Sequence, residues 1–193
     1  MRRALCLLLA AVLALVCSGA AAEKDIAVLE QSDALTEYLD DNGVDTVWRP
    51  VGQPFFGEAD GAEVCGFLDI VELADTELLV LRLTVSMELD GNIAGEEVTF
   101  TLGKETWRFP AQRRTSEYDM VYQEDYSAVL FGDSLGLARA LAGGKGSVLS
   151  FTVTGAREVS GTLTIPGEAA AEVWKLYRAA GGDKQDFSPL AEE

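Results

Sequence analysis

The run "LVLRLTVSMEL", residues 79 to 89, limits the possible folds more than any other stretch of the chain. Leu79, Leu81, Leu83, Val85, Met87 and Leu89 share one parity, with Arg82, Thr84, Ser86 and Glu88 on the other. A helix scatters such a pattern around its axis, whereas a strand sends alternate side chains to opposite faces. The run therefore predicts a half-buried strand and, with it, a sheet. "EVTFTL" continues the pattern with Val98, Phe100 and Leu102. A short loop at Gly91 to Ala94 would pair Met87 with Val98 and Val85 with Phe100. A two-residue turn at Gly103-Lys104 would put Phe100 opposite Trp107 and Val98 opposite Phe109.

A second hairpin is predicted near the end of the chain. Leu149, Phe151 and Val153 alternate, as do Val159, Leu163 and Ile165, and a loop at Gly155-Ala156-Arg157 pairs Val153 with Val159 and Leu149 with Leu163. "GFLDIVEL" reads as another strand, joined to the long one through "ADTE". Helices are fewer. Ser32 is placed to cap a helix carrying Leu35, Tyr38 and Leu39 that ends at Asn42-Gly43. "GEAAAEVWKLYRAAGG" reads as a helix with Val173, Leu176 and Tyr177 on its buried side and a stop at Gly181-Gly182. The fold class expected is mainly β (α+β), an antiparallel sandwich or open barrel built from hairpins with two or three short flanking helices. Residues 23–182 form one β-rich domain on this reading, and 183–193 a disordered tail.

The beginning of the chain predicts export. Arg2 and Arg3 precede an uncharged apolar run, Ala4 to Val16, followed by Ala20-Ala21-Ala22 and then charge. This is the layout of a secretory signal peptide spanning 1–22, and the run is shorter than the roughly 20 residues a membrane span needs. A lipid anchor at Cys17 is disfavoured because Ala14 and Val16 occupy positions where a lipobox wants leucine and a small residue. The expected location is periplasmic or extracellular, with Glu23 as the mature N-terminus. Only Cys65 then remains, so no internal disulfide is available, and its apolar surroundings predict a buried, inert thiol. The mature segment holds 13 basic and 32 acidic residues, a formal charge of −19. Such a surface repels phosphate backbones, so nucleic acid is not an expected partner, and no membrane span is expected.

Gly132-Asp133-Ser134-Leu135 resembles the first block of the GDSL esterases and lipases, which implies Ser134 as a nucleophile. That family supplies its proton acceptor from a later histidine, and this chain has no histidine. Asn42 and Asn92 both precede Ser134, and too few residues follow it for the remaining blocks. The same four residues suit a strand-to-helix turn. Gly132 permits the bend, Asp133 or Ser134 caps the helix, and Leu135, Ala138 and Leu141 form its buried stripe up to Gly143-Gly144.

Without histidine, imidazole acid–base chemistry and histidine metal sites are excluded. Carboxylate chemistry remains, and a glycosidase would need two acids held about 5 to 9 Å apart beside a sugar cleft. Glu117, Asp119, Glu124 and Asp125, interleaved with Tyr118, Tyr122 and Tyr126 in "SEYDMVYQEDY", form the candidate surface or ligand patch. The plainer reading is an edge strand with its charges outward. "DGNIAGEEVTFT" begins like a calcium loop at Asp90, Asn92 and Gly95, but Ala94 and Thr101 occupy positions five and twelve. No metal or cofactor is expected.

The closing order of helix, hairpin and "TIPGEAAAEVWKLY" is similar to the end of small periplasmic sandwich proteins, including the invasion-associated locus B family. The paired cysteines expected of that family are missing, and its function is not carried over. The functional expectation is an exported, acidic, non-enzymatic protein that binds a protein or glycan partner. The alternative is a carboxylate-dependent glycan hydrolase.

Overall fold

The computed structural model describes residues 24–40, 43–118, 121–144 and 147–191. The predicted export segment with Cys17, and Asp119 of the tyrosine-rich stretch, lie outside the described residues. Among the described residues the strands are β1 (Leu35–Leu39), β2 (Thr46–Pro50), β3 (Phe55–Ala59), β4 (Ala62–Glu72), β5 (Leu79–Leu89), β6 (Glu97–Leu102), β7 (Glu105–Pro110), β8 (Gln112–Tyr118), β9 (Val121–Leu130), β10 (Ser147–Thr154) and β11 (Glu158–Ile165). They form one antiparallel sheet in the order β7-β6-β10-β11-β3-β4-β5-β9-β8. The β1–β2 hairpin adds to the β3 side of β4, beside its last residues. Helices α1 (Ala27–Glu30), α2 (Leu135–Gly143), α3 (Gly167–Ala179) and α4 (Ser188–Ala191) flank the sheet. The chain is thus mainly antiparallel β with short helices, and its sheet curls into a half-barrel.

The core lies on the inner face of the curl. Leu81, Leu83, Val85 and Met87 of β5 are fully buried and sit in register with Leu130, Ala128, Tyr126 and Glu124 of β9. Phe100, Phe151, Val153 and Leu163 join the same apolar cluster from β6, β10 and β11. The predicted stripes Leu135-Ala138-Leu141 of α2 and Val173-Leu176-Tyr177 of α3 are buried and complete it, joined by Leu137 and Ala170. Each such side chain contributes roughly 1.5 to 3 kcal/mol by leaving water, and no disulfide is present among the described residues to share the task.

Both predicted end hairpins form in the expected register: Phe100 faces Trp107 and Val98 faces Phe109, while Val153 faces Val159 and Leu149 faces Leu163. Other expectations are corrected. β5 does not pair with β6, because its two edges are taken by β4 and β9. Residues 90–96 cross over to the far part of the sheet, and Ile93 is fully buried on the way. Matching apolar faces permit a pairing without selecting it among several strands with the same pattern. The helix expected over 32–42 is also absent, since Leu35–Leu39 pairs with Thr46–Pro50 as strand β1. "LTEYL" satisfies both periods over five residues, and the strand partner decides.

β5 is buried on both faces rather than one. Val80, on its polar parity, packs with Val47 and Val71 under Phe187 and Leu190 of the C-terminal segment. Within that segment, Gln185 meets the start of β5. The Gln185 side chain accepts a bond from Leu79 N–H and donates one to Leu79 C=O, both at 2.9 Å. The Phe187 ring lies 5.9 Å from that of Phe131.

Candidate functional site

The outer face of the sheet bears a polar groove of about 750 Å³ between the β1–β2 hairpin and the β8–β9 hairpin. Strand register builds it. Asp69 on β4 stands opposite Arg82 on β5, Phe67 opposite Thr84, Thr84 opposite Ser127, and Asp125 opposite Arg114. Arg49 reaches across from β2. Asp69 is fully buried at the floor and binds Arg49 through two parallel bonds, Nε to Oδ1 at 2.9 Å and Nη2 to Oδ2 at 2.8 Å. Arg82 Nη2 approaches the same Oδ2 at 3.6 Å, too long for a hydrogen bond, and Arg82 Nε is buried with no hydrogen-bond partner among the described residues.

Aromatic rings hold the Arg49 guanidinium from the side, with Phe67 at 3.8 Å and Tyr38 at 5.1 Å from its central carbon. Burial alone would lower the Arg49 pKa, but the Asp69 carboxylate outweighs it and the value is raised. The Tyr38 hydroxyl is pushed up, first by burial and then by Asp69. Two guanidiniums thus share one carboxylate at the floor of the groove. Asp40, Asp45 and Asp125 stand in its walls together with Arg113 and Arg114. A second lobe of about 710 Å³ adjoins it, sharing Asp45 and Gln112 and reaching Arg108 and Ser134.

The tyrosine-rich patch is divided by the sheet. Glu117 is exposed on edge strand β8, opposite Tyr122, which is partly exposed. Tyr118 lies at the β8–β9 turn, so the stretch is a hairpin and not one edge strand. Glu124 and Tyr126 point to the interior and are fully buried, whereas Asp125 alone among the described candidate acids lines the groove. Successive residues of a strand face opposite ways, so Glu124 and Asp125 cannot act as a pair on one substrate.

Glu124 accepts hydrogen bonds from Ile93 N–H at 2.9 Å, Arg113 Nη2 at 2.8 Å and the Tyr126 hydroxyl. Burial pushes its carboxyl up, but the bonds from Tyr126, Ile93 and Arg113 together prevail and hold it below the usual range. Tyr126 is pushed up by burial and by the Glu124 bond. Ser134 behaves as a turn residue. Its hydroxyl accepts from Phe131 N–H at 2.8 Å and donates to Phe131 C=O at 2.7 Å, so it ties back to the preceding strand and not forward to the helix as a cap would. The described residues include no cluster of three or more acidic or cysteine side chains able to hold a metal ion. Cys65 is half-buried, and burial raises its thiol pKa.

The Arg49–Asp69–Arg82 cluster was missed by motif reading, although two of its members leave a trace. Asp69 in "GFLDIVEL" and Arg82 in "LVLRLTV" are lone charges inside apolar strands, and such charges need partners. Comparison with known proteins finds no matching family model, no matching curated protein and no matching solved structure.

Proposed function

We propose that the protein is an exported, non-enzymatic binding protein and that the polar groove on the outer face of the half-barrel is its ligand site. The observation that carries this reading is the Asp69 floor. A fully buried carboxylate is costly unless paired, and here it fixes the Arg49 fork at the base of an open groove. A groove with preset charged and hydroxyl groups binds without first ordering them, which is what a recognition site requires. Among the described acids of the tyrosine-rich patch, Glu124 is sealed in the interior and Asp125 alone lines the groove, so the binding reading is favoured over hydrolysis.

Export rests on the layout of residues 1–22. Two measurements test the proposal. Mass spectrometry of the exported protein is expected to find Glu23 at the N-terminus, and a diacylglyceryl Cys17 would overturn the processing scheme. A thermal-shift screen of saccharides and peptides, followed by amide-shift mapping, is expected to place perturbations at Arg49, Arg82, Gln123 and Ser127. Perturbations confined to the opposite side of the half-barrel would overturn the groove assignment.

A further inference from the structure

We propose that the outer face of the sheet carries a second interaction surface, centred on a notch between β3 and β11, and that its partner is a basic polypeptide segment bearing a large apolar side chain. β3 and β11 are paired only from Ala59 opposite Gly161 to Leu163 opposite Gly57, although β3 begins at Phe55 and β11 runs on to Ile165. The two strands part there, and the opening is a notch of about 630 Å³ lined by Pro54, Phe56, Val148, Thr164 and Pro166. It shares no lining residue with the groove, so the inference stands apart from the groove's own ligand.

The notch is apolar and open. Phe56 is 73% exposed, more than any other large apolar side chain among the described residues, and Val148 is 61% exposed. Single exposed apolar residues are ordinary, but two that line one opening between parted strands form a patch that a partner's side chain can cover. Val148 stands opposite Thr164 on the far wall, while Phe56 shares its face of β3 with Glu58, two residues further on.

The charge beside the notch selects the partner. Glu58 on β3 stands opposite Glu63 on β4, and Glu63 stands opposite Glu88 on β5. All three are exposed, and none forms an ion pair with a described residue. Strand spacing sets them roughly 5 Å apart in a line, where like charges directly opposite one another cost stability. They are not gathered around a point as metal ligands are, since the described residues include no acidic cluster able to hold an ion. A line of carboxylates beside an apolar notch fits lysine or arginine side chains spaced along a chain, with one apolar side chain entering the notch. A polyamine would satisfy the line alone, and a second copy of this chain, with its formal charge of −17, would bring like charge against it.

Fluorescence anisotropy of the purified protein with three labelled peptides tests this. The first carries two phenylalanines followed by alternating lysine and glycine, the second has alanine for the phenylalanines, and the third has glutamate for the lysines. The first is expected to bind at least about tenfold more tightly than either of the others, and more weakly as salt rises. Phe56→Ala is expected to weaken it about tenfold, and Glu63→Gln about two- to fivefold, the range for one exposed ion pair. Both positions are exposed, so the two variants should fold as the parent does, and their melting temperatures check this. Failure of the first peptide to bind, equal binding of either altered peptide, or binding indifferent to both substitutions would overturn the proposal. So would a concentration-dependent dimer of the protein alone that Phe56→Ala abolishes, because the notch would then belong to a second copy.

Discussion

Tyr126 donates its hydroxyl hydrogen bond to Glu124, two residues earlier on the same inward side of β9, and accepts one from Gly95 N–H at 3.1 Å. Glu124 in turn holds Ile93 N–H, so the pair clamps the 90–96 crossover that carries the chain from β5 to β6. Arg113 reaches Glu124 from β8 and also binds Asn92 Oδ1 at 2.8 Å, extending the clamp to the crossover's outer side.

Glu124→Gln is expected to cost about 2 to 3 kcal/mol at neutral pH, the range for charged hydrogen bonds. The pH dependence has a definite sign. The folded carboxyl is held below its unfolded value of about 4.3, so its stabilising contribution is present above that value and lost as pH falls through the lower, folded one. Urea denaturation should show the wild-type advantage over the variant at pH 7 and its shrinkage below about pH 4. A constant difference across that range would contradict the assignment.

The Asp69 floor predicts a non-additive cycle. Asp69→Leu alone strands Arg49 and Arg82 beside a desolvated site and is expected to cost about 3 to 5 kcal/mol. The double variant Asp69→Leu, Arg49→Leu removes the orphaned partner along with the acid. It should lose less than Asp69→Leu alone, because a buried ion pair owes much of its apparent worth to the penalty of breaking it. Chemical denaturation of the three proteins measures the coupling, and strict additivity would count against it.

Much of this fold is legible in the sequence because its strands alternate cleanly. Val98, Phe100, Val153 and Val159 find their predicted partners where a two- or three-residue loop leaves the chain no choice of neighbour. The 87–98 pairing failed where the loop was longer, and several strands offered the same apolar face. "LTEYL" was too short for its period to separate helix from strand. The groove was nearly invisible for a related reason. Arg49, Asp69 and Arg82 are 20 and 13 residues apart along the chain and meet only through strand order, which alternation does not encode. Asp125 adjoins Glu124 in the tyrosine-rich patch, yet the strand period puts the two on opposite faces.

Phe100 is fully buried, faces Trp107 and Phe151 across β7 and β10, and meets the Phe109 ring edge-on at 6.1 Å. Phe100→Ala is expected to cost about 3 to 5 kcal/mol, lost apolar burial and a cavity together. Trp107 is only half-buried at the rim, so its fluorescence should be partly quenched by iodide while that loss appears as a lowered melting temperature. A nearly unchanged melting temperature would mean that this face is not the core.

The β3–β11 seam is where the curl depends on the absence of side chains. Only three residue pairs join these strands, Gly161 with Ala59, Thr162 with Glu58 and Leu163 with Gly57, and two of the three contain glycine. A methyl group on Gly57 would lie 2.1 Å from the Thr162 carbonyl oxygen, and one on Gly161 would lie 2.5 Å from that of Glu58. Backbone on the opposing strand cannot swing aside as a side chain can, so each substitution must push the strands apart. Separation would break the seam's ladder and uncover Leu163, which also packs within 2.6 Å of where a Gly66 methyl would sit. Gly57→Ala is therefore expected to destabilise by at least about 2 kcal/mol, although alanine normally gains on glycine in an extended segment through its smaller unfolded-state entropy. Gly143→Ala, with nothing within 4 Å of the added carbon at the end of α2, is the control and should be neutral or slightly stabilising. Thermal melts of the two variants measure the contrast. Equal melting temperatures would mean that the sheet curls without needing the close approach at β3 and β11.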